Sequence, residues 1–181
     1  MANRIFLDVE KAVSYASAWS TWNNPNYVAI DGNDCTNFVS QCWHEGGIPL
    51  APHWSNEAKT GIYTSAWAEV GTFCYYMTIS APDLDPQIMG DFPIADQTAL
   101  IETPLNDYSR VIKAGDVVQC YNNKNGWHHS IFIMDVINGM PRYCAHSSFA
   151  NYMNLTVQFS SDTNSPNSKI RVLRVRNRIN A

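Results

Sequence analysis

GNDCTNFVSQCWHEGG, residues 32–47, is the stretch on which the reading of this chain turns. Asp34 is a residue type favoured at helix starts, and Phe38, Val39, Cys42 and Trp43 recur at helical spacing. Gly46 and Gly47 then stop the helix, which predicts helix over residues 35–45. Cys35 falls one residue after the expected cap. A helix N-terminus carries partial positive charge and unpaired N–H groups, which favour a thiolate and could hold an oxyanion. Cys35 is therefore the candidate nucleophile. The bland alternative is a small apolar residue filling space at a helix start.

Upstream, residues 7–20 carry Val9, Ala12, Val13, Ala16 and Trp19 at helical spacing, and residues 23–33 are turn-rich. Downstream, residues 53–79 read as one or two further helices. Residues 81–109, with four prolines and several aspartates, read as an irregular segment of the kind that often lines a cleft. The period then changes. Residues 115–121, 128–136, 142–147 and 169–175 are short, β-branched and aromatic, and Asn138-Gly139 is a hairpin signal between two of them. Helices first and strands later predict an α+β fold, with N-terminal helices packed on a C-terminal antiparallel sheet. With no internal repeat or linker visible, residues 1–181 read as one domain.

The chain of 181 residues is 45% hydrophobic and 15% charged, with a net charge of −4, so disorder is excluded and a nucleic-acid or anionic-membrane partner is not expected. The alternating arginines of residues 171–178 read as an edge strand protected by charge. No apolar run is long enough for a transmembrane helix, and the first residues lack a signal-peptide core. The expected setting is thus either intracellular or that of a mature domain. The five cysteines are Cys35, Cys42, Cys74, Cys120 and Cys144, an odd number. All but Cys35 lie in apolar periodic segments.

A thiolate nucleophile needs an imidazole close in space. His44 points away from its helix start, and His53 lies in a loop. His128 and His129 open a strand and face opposite sides: His129 shares a face with Ile131 and Ile133, His128 with Ser130 and Phe132. Both faces hold apolar residues, so the pattern leaves the two open. His146 ends the next strand, and pairing around Asn138-Gly139 carries it toward the His129 end, where it could orient the base. The spacing of Cys42 and His44 to a distant histidine is not a common zinc pattern, and no metal site is expected.

The segment DCTNFVSQC followed by a glycine pair resembles the signature of the "putative amidase domain" family of bacterial, often secreted or wall-associated, proteins. The match extends in order through NPNY at residues 24–27, the tryptophans Trp54 and Trp67, GDVVQCY at 115–121, WHHSIFI at 127–133 and AHS at 145–147. The resemblance implies a papain-like cysteine peptidase fold, related to the NlpC-type cell-wall peptidases. It implies Cys35 as nucleophile, His129, the histidine before Ser130, as base, and His146 as orienting residue. It further implies substrate-amine contacts from Asp34 and Thr36, with capping an equal claim on Asp34, and an oxyanion contact from Tyr27. The expected chemistry is hydrolysis of peptide or isopeptide amides, plausibly peptidoglycan fragments, through a thioester, with no metal and no cofactor. A transferase using the same thioester fits the same residues. A non-catalytic wall- or glycan-binding module, using the abundant Trp and Tyr, is the reading from another class.

Overall fold

The computed structural model describes residues 5–78, 98–104, 111–146, 150–156, 158 and 169–181. A short strand β1 (Leu7–Asp8) leads into α1 (Val9–Trp19), and after a loop comes α2 (Cys35–Glu45). A small hairpin, β2 (Asn56–Glu57) and β3 (Ile62–Tyr63), precedes α3 (Ser65–Ala68) and α4 (Val70–Met77). The strands β4 (Thr98–Pro104), β5 (Val117–Asn122), β6 (Gly126–Ile137), β7 (Met140–Ala145), β8 (Ala150–Asn154) and β9 (Lys169–Val175) form one antiparallel sheet in the order β4-β9-β5-β6-β7-β8. β10 (Arg178–Ile179) pairs in parallel with β1. The chain is α+β, helices before sheet, as its change of period predicts.

The centre of the helical layer is α2. Nine of its eleven residues, Cys35 to Trp43, are buried. A helix buried on all sides must satisfy its polar side chains internally. It does so with distant partners. Tyr15 donates to Gln41 Oε1 at 2.6 Å, Ser40 donates to Trp67 O at 2.8 Å, and Asn37 Oδ1 accepts from Trp67 Nε1 at 2.6 Å and from Asn56 Nδ2 at 3.0 Å. The apolar stripe of α2, Phe38, Val39, Cys42 and Trp43, packs with α1, α4 and Val117, Phe132, Cys144 and Leu173 of the sheet. A second apolar cluster lies on the other sheet face and includes Val118, Cys120, Ile131, Ile133, Ile170 and Val172.

Both turn signals of the second half are realised. Asn138 and Gly139 have φ of 51° and 77° between Ile137 and Met140, the positive pair that a tight β6–β7 hairpin needs. Between β5 and β6, Asn122 Oδ1 accepts from Lys124 N and Asn125 N at 3.1 and 2.8 Å, a side chain organising its own turn.

Four expectations need correction. Part of residues 53–79 forms the β2–β3 hairpin rather than helix. Thr98–Pro104, within the stretch expected to be irregular, pairs with β9 throughout, whereas residues 79–97 and 105–110 lie outside the described residues. β9 is not an edge strand: β4 and β5 flank it on either side. Its arginines are tolerated inside because each meets a carbonyl or carboxylate. Arg171, 5% exposed, donates to Gln119 Oε1 at 2.7 Å, and Arg174 donates to both oxygens of the buried Asp116 at 2.8 and 2.5 Å. Lastly, Asp34 precedes α2 as expected but does not cap it with its side chain.

Candidate active site at the start of the central helix

Cys35 is the first residue of α2, and its neighbours on either side tie the helix start to the sheet. Asp34 accepts the first helical bond through its carbonyl, from Phe38 N at 3.0 Å. Its carboxylate turns away from the helix. Oδ1 accepts from Ile30 N at 2.9 Å and from Asn37 Nδ2 at 2.6 Å, and Oδ2 meets His146 Nδ1. The N–H groups of the first turn of α2 are thus left without the carboxylate that usually occupies them.

His146 follows β7 and is 1% exposed. Its ring stacks on Phe38 with centroids 4.0 Å apart and planes inclined by 20°. Nδ1 faces the Asp34 carboxylate and Nε2 lies 2.8 Å from Trp19 O. Both partners are acceptors only, so satisfying both requires a proton on each ring nitrogen. The ring thereby joins the end of α1, the start of α2 and the end of β7.

Thr36, on the other side of Cys35, is fully buried. Its hydroxyl is 3.0 Å from Ser130 Oγ on β6 and 3.8 Å from Cys35 Sγ. Among the described residues, Thr36 Oγ1 is the hydrogen-bonding partner of that sulfur. Cys35 itself is 1% exposed.

The contact with Ser130 fixes which face of β6 meets α2. Ser130 and Phe132 point toward the helices. Alternation then turns His129, opposite Cys120 in the β5–β6 register, to the other face with Ile131 and Ile133. Of the two histidines expected to serve Cys35, His146 stands at the start of α2 against Asp34, and His129, 9% exposed, lies opposite Cys120 of β5. His128 sits at the irregularity of register between β5 and β6, with Nδ1 3.0 Å from Gly126 O.

Tyr27 is also remote from Cys35. Its ring stacks on Trp67 with centroids 5.7 Å apart, and its hydroxyl donates to Glu45 Oε1 at 2.5 Å, in the last turn of α2. Burial and that carboxylate raise its phenol well above the ordinary range. It stays protonated and acts as a tie between loop and helix. Burial likewise pushes the Cys42 thiol far up and the Cys144 thiol to about 11, which leaves both as neutral packing groups.

A cavity of about 190 Å³ opens beside the Asp34–His146 pair, walled by Asn23, Ala29, Ile30, Asp31 and Gly32 of the loop before α2. That loop carries no helix or strand. Asp31 and Asp34 give the cavity an acidic lining, and His146 supplies the imidazole at its wall. The joint placement of Asp34 and His146 was within reach of the sequence, since register around the hairpin carries His146 two residues past Cys144, which pairs with Phe132. What the sequence lacked was the identity of the sheet face.

Comparison with known proteins places the chain. The profile of the family described as "Putative amidase domain" matches residues 6–172, and the chain belongs to that family. Among curated proteins it is 28% identical over 155 residues to the uncharacterized protein YjcM of Bacillus subtilis (strain 168), covering 82% of this chain and 32% of that protein. It is 36% identical over 66 residues to the uncharacterized protein YhbB of the same organism, covering 36% of this chain and 21% of that one. The chain therefore spans a third or less of the length of these relatives. No solved structure matches it. Among the described residues, no helix is long and apolar enough to cross a membrane.

Proposed function

We propose that the protein hydrolyses amide bonds with Cys35 as nucleophile and His146, oriented by Asp34, as the proton-transfer group. The observation that carries this reading is the pairing of His146 with Asp34 at the start of α2, whose first residue is Cys35 and whose first-turn N–H groups are left uncapped by a side chain. Cys35, as the thiolate whose proton is held on His146, attacks the amide carbon and forms the C–S bond. The developing oxyanion takes the N–H groups of the first turn. The C–N bond then breaks, and the leaving amine takes a proton from His146 Nε2 while Nδ1 stays on Asp34. Water, losing a proton to His146, hydrolyses the thioester and releases the acid. In the resting arrangement Nε2 is held by Trp19 O, and Cys35 is buried, so the loop before α2 opens to admit substrate.

This reading moves to His146 the part expected of His129 and leaves Tyr27 out of the oxyanion hole. Family membership supports an amide as substrate. The acidic cavity beside His146 suits a peptide or isopeptide bearing an amine, and peptidoglycan stem peptides are the first substrates to try. The order of a cysteine-bearing helix followed by antiparallel strands supports kinship with papain-like hydrolases.

The test is a screen of peptidoglycan fragments and peptide libraries read by mass spectrometry. Cys35→Ala and His146→Ala are expected to lose turnover, and His129→Ala to keep it. Turnover in Cys35→Ala sinks the mechanism. Loss in His129→Ala with retention in His146→Ala returns the base to His129. Addition of an acceptor amine, with a conjugate forming in place of the free acid, identifies a transferase instead.

A further inference from the structure

Behind Cys35 runs a chain of buried hydrogen bonds that the hydrolytic reading does not use. Arg171 Nε donates to Gln119 Oε1 at 2.7 Å. Gln119 Nε2 donates to Val70 O at 2.8 Å and to Ser130 Oγ at 3.0 Å. Ser130 Oγ is 3.0 Å from Thr36 Oγ1, which is 3.8 Å from Cys35 Sγ. Gln119, Ser130 and Thr36 are fully buried, and Arg171 is 5% exposed with its guanidinium over the Trp127 ring at 4.1 Å.

The directions of the Arg171 and Gln119 bonds in this chain are determined. A guanidinium only donates and a carbonyl only accepts, so Arg171 and Val70 O together fix which end of the Gln119 amide is oxygen and which is nitrogen. The amide nitrogen then donates to Ser130, whose oxygen accepts. With Ser130 donating to Thr36 Oγ1, each group of the chain gives its hydrogen to the next and every buried polar atom in it is satisfied. With its oxygen occupied by Ser130, Thr36 has its hydrogen free for the sulfur.

The geometry points to Thr36 as a hydrogen-bond donor to the Cys35 thiolate, with Gln119 and Arg171 as positioning residues that set the direction of that bond from across the sheet. This inference rests on the reading of Cys35 as nucleophile. A bond donated to a charged sulfur favours the thiolate over the thiol, so the chain tunes nucleophilicity without touching substrate.

The experiment is the pH dependence of Cys35 alkylation by iodoacetamide, followed on the Cys35 peptide by mass spectrometry. In Thr36→Val, which keeps shape and removes the hydroxyl, the midpoint is expected to rise by about one unit, a tenfold loss of thiolate. Thr36→Ser is expected to restore the wild-type profile. Gln119→Glu, of the same size and still able to pair with Arg171, turns the Ser130 hydrogen toward itself and draws the Thr36 hydrogen after it, and is expected to raise the midpoint as Thr36→Val does. An unmoved midpoint in Thr36→Val or Gln119→Glu, or failure of Thr36→Ser to restore it, overturns the inference while an activated wild-type Cys35 still stands. Wild-type alkylation no faster at pH 6 than that of a free model thiol instead removes the reading beneath it.

Discussion

Replacing Asp34 by asparagine separates what its carboxylate does for the fold from what it does for His146. Oδ1 accepts from Ile30 N and Asn37 Nδ2, and Oδ2 meets His146 Nδ1. An asparagine with its oxygen in the Oδ1 place keeps the first two bonds. Its amide nitrogen then faces Nδ1, and a donor there requires Nδ1 to give up its proton. The ring becomes the neutral tautomer with hydrogen on Nε2, still donating to Trp19 O at 2.8 Å. The stability lost is the difference between a charge-assisted and a neutral bond, about 1 kcal/mol. Asp34→Ala is a harsher change. It removes all three bonds and leaves Ile30 N, Asn37 Nδ2 and His146 Nδ1 without that partner, for a larger cost of about 2–4 kcal/mol. Urea denaturation of the two variants measures the stabilities, and long-range ¹H–¹⁵N correlation of the His146 ring reads the tautomer. Turnover in Asp34→Asn is expected to fall by about 10²–10⁴, because the one nitrogen free to exchange protons is locked as a donor. Equal destabilisation by Asn and Ala, or a His146 ring in Asp34→Asn that still carries both protons, refutes the reasoning.

Further outcomes follow from packing and charge. A methyl group on Gly46 meets Leu7 Cδ1 at 2.6 Å and Ala12 Cβ at 2.9 Å, so Gly46→Ala is expected to lose about 1–3 kcal/mol in denaturant melts. Gly71, in α4 with nothing within 4 Å of its added Cβ, is expected to gain about 0.5–1 kcal/mol as alanine. Arg174→Met removes the two-pronged partner of the buried Asp116 carboxylate, leaving it Arg178 and Lys113 N, and is expected to cost about 2–4 kcal/mol, measured the same way. The Lys11 N–H, in an N-cap bond to Asp8 at 3.2 Å, holds that carboxyl below its ordinary 3.8. A depressed carboxylate stabilises the fold above the unfolded value and loses that contribution as pH falls through the folded one. Wild type is therefore expected to lose more stability than Asp8→Asn between pH 5 and pH 2, read by thermal melts at each pH.

The legible parts of this chain were those whose causes are local. Gly46-Gly47 after an apolar stripe marked the end of α2, and Asn138-Gly139 marked the hairpin, because caps and turns are written in adjacent residues. The burial of Asn37, Ser40 and Gln41 was not legible. Their partners, Trp67, Asn56 and Tyr15, come from segments 15 or more residues away. The inner place of β9 was hidden for the same reason: Arg171 and Arg174 read as solvent-facing until Gln119 and Asp116 are brought beside them. Strand alternation offered two faces for His128 and His129, and the register irregularity of β5 and β6 falls at His128. The Thr36–Ser130 contact decides which of the two faces meets α2. Tyr27 was attracted to the site by its nearness in sequence, whereas its ring stacks on Trp67 and its hydroxyl bonds Glu45 in the last turn of the helix.

The parallel pairing of β1 with β10 brings Leu7 beside Arg178 and Asp8 beside Ile179, and Asp8 N in turn donates to Gly46 O, at the end of α2 opposite Cys35. Entry and exit of the polypeptide thus share one doorway, separated from the reactive end by the length of the helix, about 15 Å. The same arrangement makes the molecule a fair subject for circular permutation: a short linker between the two ends and a new opening in the β6–β7 turn are expected to preserve the fold.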